Sequence, residues 1–289
     1  MKTKTKVMPV RRDLKVELPE ERICDWHVQG RHVTHFFNAL SIFFPAGERF
    51  FMDSVRLYRD QVTDPELKKA VLAFIGQEAM HSREHIEYND MLERAGLPAQ
   101  KMDKFVWNLL GNLKKVLPKR LQLAGTVALE HYTAVLGDMI LRHPEKLEGS
   151  NAQFIRMWRW HALEETEHKA VAYDVWNETS QQPVVDYANR AIAMFLATAI
   201  LWPSLAMVHA RLVFADEGCK KNRLSGYVDL AKFLVFNDGP FRRLIPEALE
   251  FFRTDFHPWD QDNSELLAEI DTIIKLVKKE ERAAVAKAA

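Results

Sequence analysis

Apolar residues recur at intervals of three and four along most of this chain, with interruptions where helices should start and stop. The pattern predicts long helices near residues 31–60, 64–95, 118–142 and 150–178. The second is framed most clearly: Thr63 and Glu66 read as a capping box, Pro65 sits in the first turn, and Gly96 followed by Pro98 marks the stop. Segment 150–178 has no Pro or Gly and reads as one unbroken helix. Pro45 and Gly47 fall inside the first helix and should kink it or set its start there, beside Glu48.

Two regions lie beyond these four helices. Residues 191–208, "AIAMFLATAILWPSLAMV", run for 18 positions without a charge, long enough for a membrane span. Pro203 and Ser204 interrupt the run, Arg190 and His209 close it, and no second such run exists, so a core or lid helix is the preferred reading. The alternative is an interfacial helix making peripheral membrane contact near a lipid-like substrate. The stretch from Leu224 to Asp262 is dense in aromatics, and Asn263 or Ser264 should cap a helix after it. The organisation expected is an all-α chain: an N-terminal arm (1–25), a four-helix bundle (26–182) and a C-terminal helical extension packed on it (183–289). The last residues, "KLVKKEERAAVAKAA", read as a fraying helical tail.

Composition narrows the setting. Lys+Arg and Asp+Glu both total 40, and no basic patch dominates, so nucleic acid is not an expected partner. Cys24 and Cys219 make neither a disulfide framework nor a zinc ribbon. The start, "MKTKTKVMPVRRDLKVELP", is basic but lacks the apolar core of a secretory signal. A loose arm, a cytoplasmic location and a small, hydrophobic substrate follow as expectations, with a homodimer admitted.

The candidate chemistry interrupts the apolar pattern. In "HALEETEHK", His161, Glu164, Glu165 and His168 share one helix face, and no Lys or Arg lies in that stripe. Glu167 lies about 100° from His168 around the axis and is expected to play no part. In "QEAMHSREH", Glu78, His81 and His85 share a face. Ahead of each pair stands a lone glutamate in an apolar run: Glu48 in "FFPAGERFFMDSV" and Glu130 in "LAGTVALEHYTAVLGDMI". A carboxylate in such a run must be paired, protonated or metal-bound. One Glu from each of two helices and Glu-x-x-His from each of two others is the ligand set of ferritin-like di-metal carboxylate bundles. Four carboxylates and two divalent ions also balance in charge. The candidate ligands are therefore Glu48, Glu78, His81, Glu130, Glu165 and His168. Glu164 and His161 are expected to orient them or transfer protons, and His85 is a candidate extra ligand. His32 and His35 have no acidic company and default to surface or supporting roles. His131 should face another helix, and His257 beside Pro258 reads as a packing element.

The pieces "FPAGERFF", "QEAMHSREH", "ALEHYTAV", "WRWHALEETEHKAVAYDVW" and "FHPWD" together resemble the ferritin-like family labelled predicted metal-dependent hydrolase, over roughly Trp26 to Asp262. The resemblance implies a helical di-metal bundle with those six ligands. Oxygen and imidazole donors without thiolate suit Fe best, with Mn or Zn as alternatives. The reading drawn from these residues is O₂-dependent oxidation of a small apolar substrate, with hydrolysis of an ester or phosphoester at the same metals as the alternative.

Overall fold

The computed structural model describes residues 6–236 and 239–288, and every regular element among them is helical. Four elements make the bundle: α1 (Arg31–Arg56), α2 (Pro65–Arg94), α4 (Lys119–Arg142), and the pair α5 (Ala152–His168) and α6 (Val171–Glu178). α3 (Ala99–Val116) connects the two halves. α7 (Pro183–Ala215), α8 (Ser225–Val235), α9 (Pro240–Glu250) and α10 (Ile270–Ala288) follow.

Side-chain pairings fix the directions. Asn38, Ser41 and Glu48 of α1 meet Tyr88, His85 and Ser82 of α2, in opposite order along the chain. Gln77, His81 and His85 of α2 meet His168, Glu164 and His161 of α5, again in opposite order. α4 opposes α5 in the same sense, since Gly137 lies against Ala162 and Glu130 against His168. α2 and α4 therefore run the same way, and the chain between them must travel back along the bundle. α3, with 18 residues and so about 27 Å long, makes that return.

Apolar and polar layers alternate along the bundle axis. One apolar cluster holds Phe37, Tyr88, Phe154 and Trp158. Another holds Phe50, Phe74, Leu123 and Val171. On α1, α2 and α5–α6 the candidate ligands lie between these clusters in sequence. The polar layer is thus closed at both ends by packed side chains, which keeps water out and makes every buried charge there costly.

Three local expectations are corrected. The cap of α2 is Asp64, whose Oδ1 accepts from the amides of Glu66 (2.8 Å) and Leu67 (3.3 Å). Pro65 takes the first helical position, so the cap must stand one residue ahead of it. Thr63 instead donates its hydroxyl to Glu178 (2.7 Å), tying the start of α2 to the end of α6. The helix expected over 150–178 breaks at Lys169 and Ala170, directly after His168. There Lys169 turns inward to Gln261 O and Asn263 Oδ1 (both 2.7 Å) and stands over the Trp259 ring. The N-terminal segment is not loose from residue 6 onward. Leu14, Ile23 and Trp26 are buried, and Trp26 stacks on Phe154 and donates to Tyr88 Oη (3.0 Å). Residues 1–5 of that arm, and the final residue of the expected tail, lie outside the described residues.

α1 runs unbroken through Pro45. α7, which holds the uncharged 191–208 run, packs on α1 and α4 through Ala193, Met194, Leu205 and Val208. Its other side leaves Ile192, Phe195 and Leu196 exposed. His131 reaches Glu247 O of α9 (2.9 Å), and His257 pairs with Asp174 (3.1 Å). His32 and His35 are buried rather than superficial, and His35 is held between Asp216 (2.9 Å) and Asn38 (3.1 Å).

Gly137 sets the approach of α4 to α5, because a Cβ there would meet Ala162 O at 3.3 Å. Gly137→Val should therefore push Glu130 away from His168 and cost about 1–3 kcal/mol by overpacking. Urea unfolding measures the cost, and an unchanged midpoint would contradict this packing.

Candidate metal centre

Each candidate ligand is presented by a helix whose flanking positions are committed to the core. Glu48 lies between Ala46 and Phe50 on α1, and Glu130 between Ala128 and Tyr132 on α4, all buried. Glu78 and His81 share one face of α2, and Glu165 and His168 share one face of α5. The six meet in one layer, and each is at most 2 % exposed.

They fall into two overlapping groups. Glu48, Glu78 and His81 bring one donor atom each within 4.8 Å of one another, and so do Glu78, Glu130 and His168. Glu78 is common to both groups and stands between them. Glu165 joins them through its two oxygens: Oε2 is 3.5 Å from His168 Nε2, and Oε1 is 3.6 Å from His81 Nδ1. His168 Nε2 is also 3.3 Å from Glu78 Oε1 and 3.5 Å from Glu130 Oε2.

Hydrogen bonds do not account for these atoms. Both oxygens of Glu78 and of Glu130, one oxygen each of Glu48 and Glu165, His81 Nδ1 and His168 Nε2 are buried without a hydrogen-bond partner. Buried polar groups in folded proteins are nearly always partnered. These atoms are all carboxylate oxygens and imidazole nitrogens, and they face one another in two overlapping groups. That donor set fits two divalent cations.

The opposite nitrogen of each imidazole is fixed. His168 Nδ1–H donates to Gln77 Oε1 (3.0 Å), leaving Nε2 with its lone pair facing the carboxylates. Gln77 is oriented in turn by donating Nε2–H to Glu167 Oε2 (2.8 Å). His81 Nε2–H donates to Glu164 Oε2 (3.0 Å), leaving Nδ1 free. Arg12 secures both acids, donating to both oxygens of Glu167 (2.7 Å each) and to Glu164 Oε1 (3.2 Å). Trp160 and Phe74 pack edge-on against His81 and His168.

Electrostatics follow from burial. Burial lifts Glu78 well above the carboxylate range, and neighbouring Glu130 and Glu165 add to the effect. Burial does the same to Glu130, reinforced by Glu165 and Glu48. Glu48 is likewise raised by burial, with the Ser82 hydroxyl opposing. Glu164 is pushed up to about 7 by burial, with Arg12 pulling the other way. Burial, then the nearby His161, depresses His81 and His85, so both stay neutral.

All nine residues picked from the sequence lie in or beside this layer. The roles of three further residues were not foreseen. Glu167, expected to play no part, holds Gln77, which holds His168. Gln77 stands immediately before Glu78 in the quoted motif, and its position one turn before His81 is the signal that could have found it. Arg12 carried no signal, because the partner of the acid stripe comes from the other end of the chain. A separate cluster of His35, Asp216 and Cys219 is satisfied internally by Arg31 and Asn38.

The layer opens on one side. A cavity of about 240 Å³ between α1, α3, α4 and α7 is lined by apolar side chains such as Phe43, Phe50, Leu110, Leu129 and Leu196, and it reaches His161 and Glu165.

A family model described as predicted metal-dependent hydrolase matches residues 10–262, so the chain belongs to that family. No curated protein and no solved structure matches it.

The raised carboxyls carry protons when no cation is present, and the depressed imidazoles do not. Cation uptake should therefore release protons from the glutamates, about one to three per chain near neutral pH, and affinity should rise with pH. A pH-indicator titration of metal-free protein measures this, and uptake without proton release would contradict the assignment.

Proposed function

We propose that the chain is a di-metal hydrolase acting on an ester whose acyl portion is apolar. The observation that carries this reading is the set of unpartnered buried donors meeting around Glu78, with an apolar cavity ending at His161 and Glu165. Glu48, Glu78 and His81 would hold one ion, and Glu78, Glu130, Glu165 and His168 the other, as in ferritin-like bundles. When bound, two divalent ions supply Lewis acidity toward a carbonyl and lower the pKa of water.

The chain's own residues supply the rest. The cavity wall takes up the apolar chain and excludes water from the site. Phe44, whose ring is 4.4 Å from that of His161, narrows the end of the cavity where the reacting group would stop. Gln77 and Glu164 hold the ligand imidazoles in one tautomer. Glu164 lies behind His81, whose Nδ1 would be taken by a cation, so its part is to orient that ring and not to relay a proton to substrate.

The family description favours hydrolysis over the oxidation expected from the residues alone. Oxidation of an apolar substrate at two irons is the second reading. It is supported by a cavity wall with almost no group to hold a polar product, and by a donor set without thiolate.

Metal-free protein reloaded with Zn(II), Mn(II) or Fe(II) separates the two when given esters of graded acyl length. Hydrolysis predicts turnover with Zn(II) or Mn(II) under anaerobic conditions. It also predicts kcat/KM rising about two- to fourfold per methylene until the cavity is full, as burial of each CH₂ allows. Inert Zn(II) and Mn(II) forms, with O₂ consumed by the Fe(II) form, would overturn hydrolysis in favour of oxidation.

A further inference from the structure

The hydrogen bonds behind His161 run in one direction, and that direction settles the state of its outward nitrogen. Asn89 Nδ2–H donates to Ser41 O (3.2 Å), so Asn89 Oδ1 is the acceptor for the Ser41 hydroxyl (2.9 Å). With its only proton committed, Ser41 Oγ accepts from His85 Nδ1–H (2.9 Å). His161 Nε2 is buried with no acceptor in line, so the ring's proton sits on Nδ1, which donates to His85 Nε2 (3.0 Å). That leaves His161 Nε2 bare. That atom is 3.0 Å from Glu165 Oε1, yet it is buried without a hydrogen-bond partner.

Nε2 points beside that oxygen rather than at it, so no hydrogen bond forms, and a cation lying between the two would be drawn to both. The third donor is already in place: His81, His161 and Glu165 each bring an atom within 4.8 Å of the others, and the rings of His81 and His161 stack at 4.2 Å. His85 has no such freedom, because both its nitrogens are used by Ser41 and His161. We propose that His161 is a third imidazole ligand of the metal pair, binding through Nε2 on the His81 side. His85 is the positioning residue that holds it, and Ser41 and Asn89 anchor His85. This rests on the di-metal reading above and extends it. The roles foreseen for the two histidines are exchanged. Because His161 also lines the cavity, the substrate meets the centre beside an imidazole and Glu165.

Cobalt(II) loaded into metal-free full-length protein tests this without any turnover. Each coordinated imidazole should give one strongly shifted, solvent-exchangeable N–H proton signal, from His81 Nε2–H, His168 Nδ1–H and His161 Nδ1–H. The native protein should show three, and a count of two would overturn the proposal without any variant. His161→Ala should lose one signal and bind one of the two ions far more weakly. His85→Ala should keep three signals but lower affinity for that ion by about 10–100-fold, the usual effect of removing a partner behind a ligand. His161→Ala with native affinity for two ions and an unchanged spectrum overturns the ligand role of His161 and leaves the metal centre standing. A native protein that takes up no cobalt overturns the metal centre, and this assignment with it.

Discussion

Glu48, Glu78, Glu130 and Glu165 are buried together between two apolar clusters, and they cannot all be ionised there unless cations join them. The rest of the structure follows from that constraint. Helices must bring the carboxyls to one level, and in this chain α2 and α4 do so running in the same direction, with α3 returning the chain between them. Gly137 must let α4 approach α5 closely enough for Glu130 to reach His168. Both ends of the layer must be packed, since water entering there would partner the donors that are otherwise left without one.

The same constraint explains the supporting groups. A ligand imidazole is useful only with its lone pair aimed inward, so its other nitrogen must donate to something fixed. His168 donates to Gln77, His81 to Glu164, and His161 to His85. Two of these chains end on Arg12, from the N-terminal segment that lies against the bundle. The N-terminal segment thus acts as a strap. It carries the only long-range cation paired with Glu164 and Glu167 among the described residues, and it is pinned beyond Arg12 by buried Leu14, Ile23 and Trp26.

Much of this was legible in the sequence because its logic is local. Glu48 and Glu130 stand out as lone acids in apolar runs, and Glu-x-x-His places two donors on one helix face whatever surrounds it. The long helices are periodic and framed by Pro and Gly. What was not legible depends on neighbours distant in sequence. A helical wheel shows that Glu167 points away from His168 but not that Gln77 lies there to link them. The break after His168 falls on Lys169 and Ala170, both good helix formers, and goes with Lys169 reaching Asn263 nearly a hundred residues on. The proposed exchange of roles between His85 and His161 rests on hydrogen bonds through Ser41 and Asn89, which no spacing encodes.

Crystals of the metal-loaded protein, with anomalous diffraction collected at the absorption edge of the bound metal, test the central claim most directly. The account predicts two anomalous peaks on either side of the Glu78 carboxylate, one beside His81 and one beside His168. A fully loaded crystal with no peak in that layer, or with its only peak at His35, Asp216 and Cys219, would contradict it.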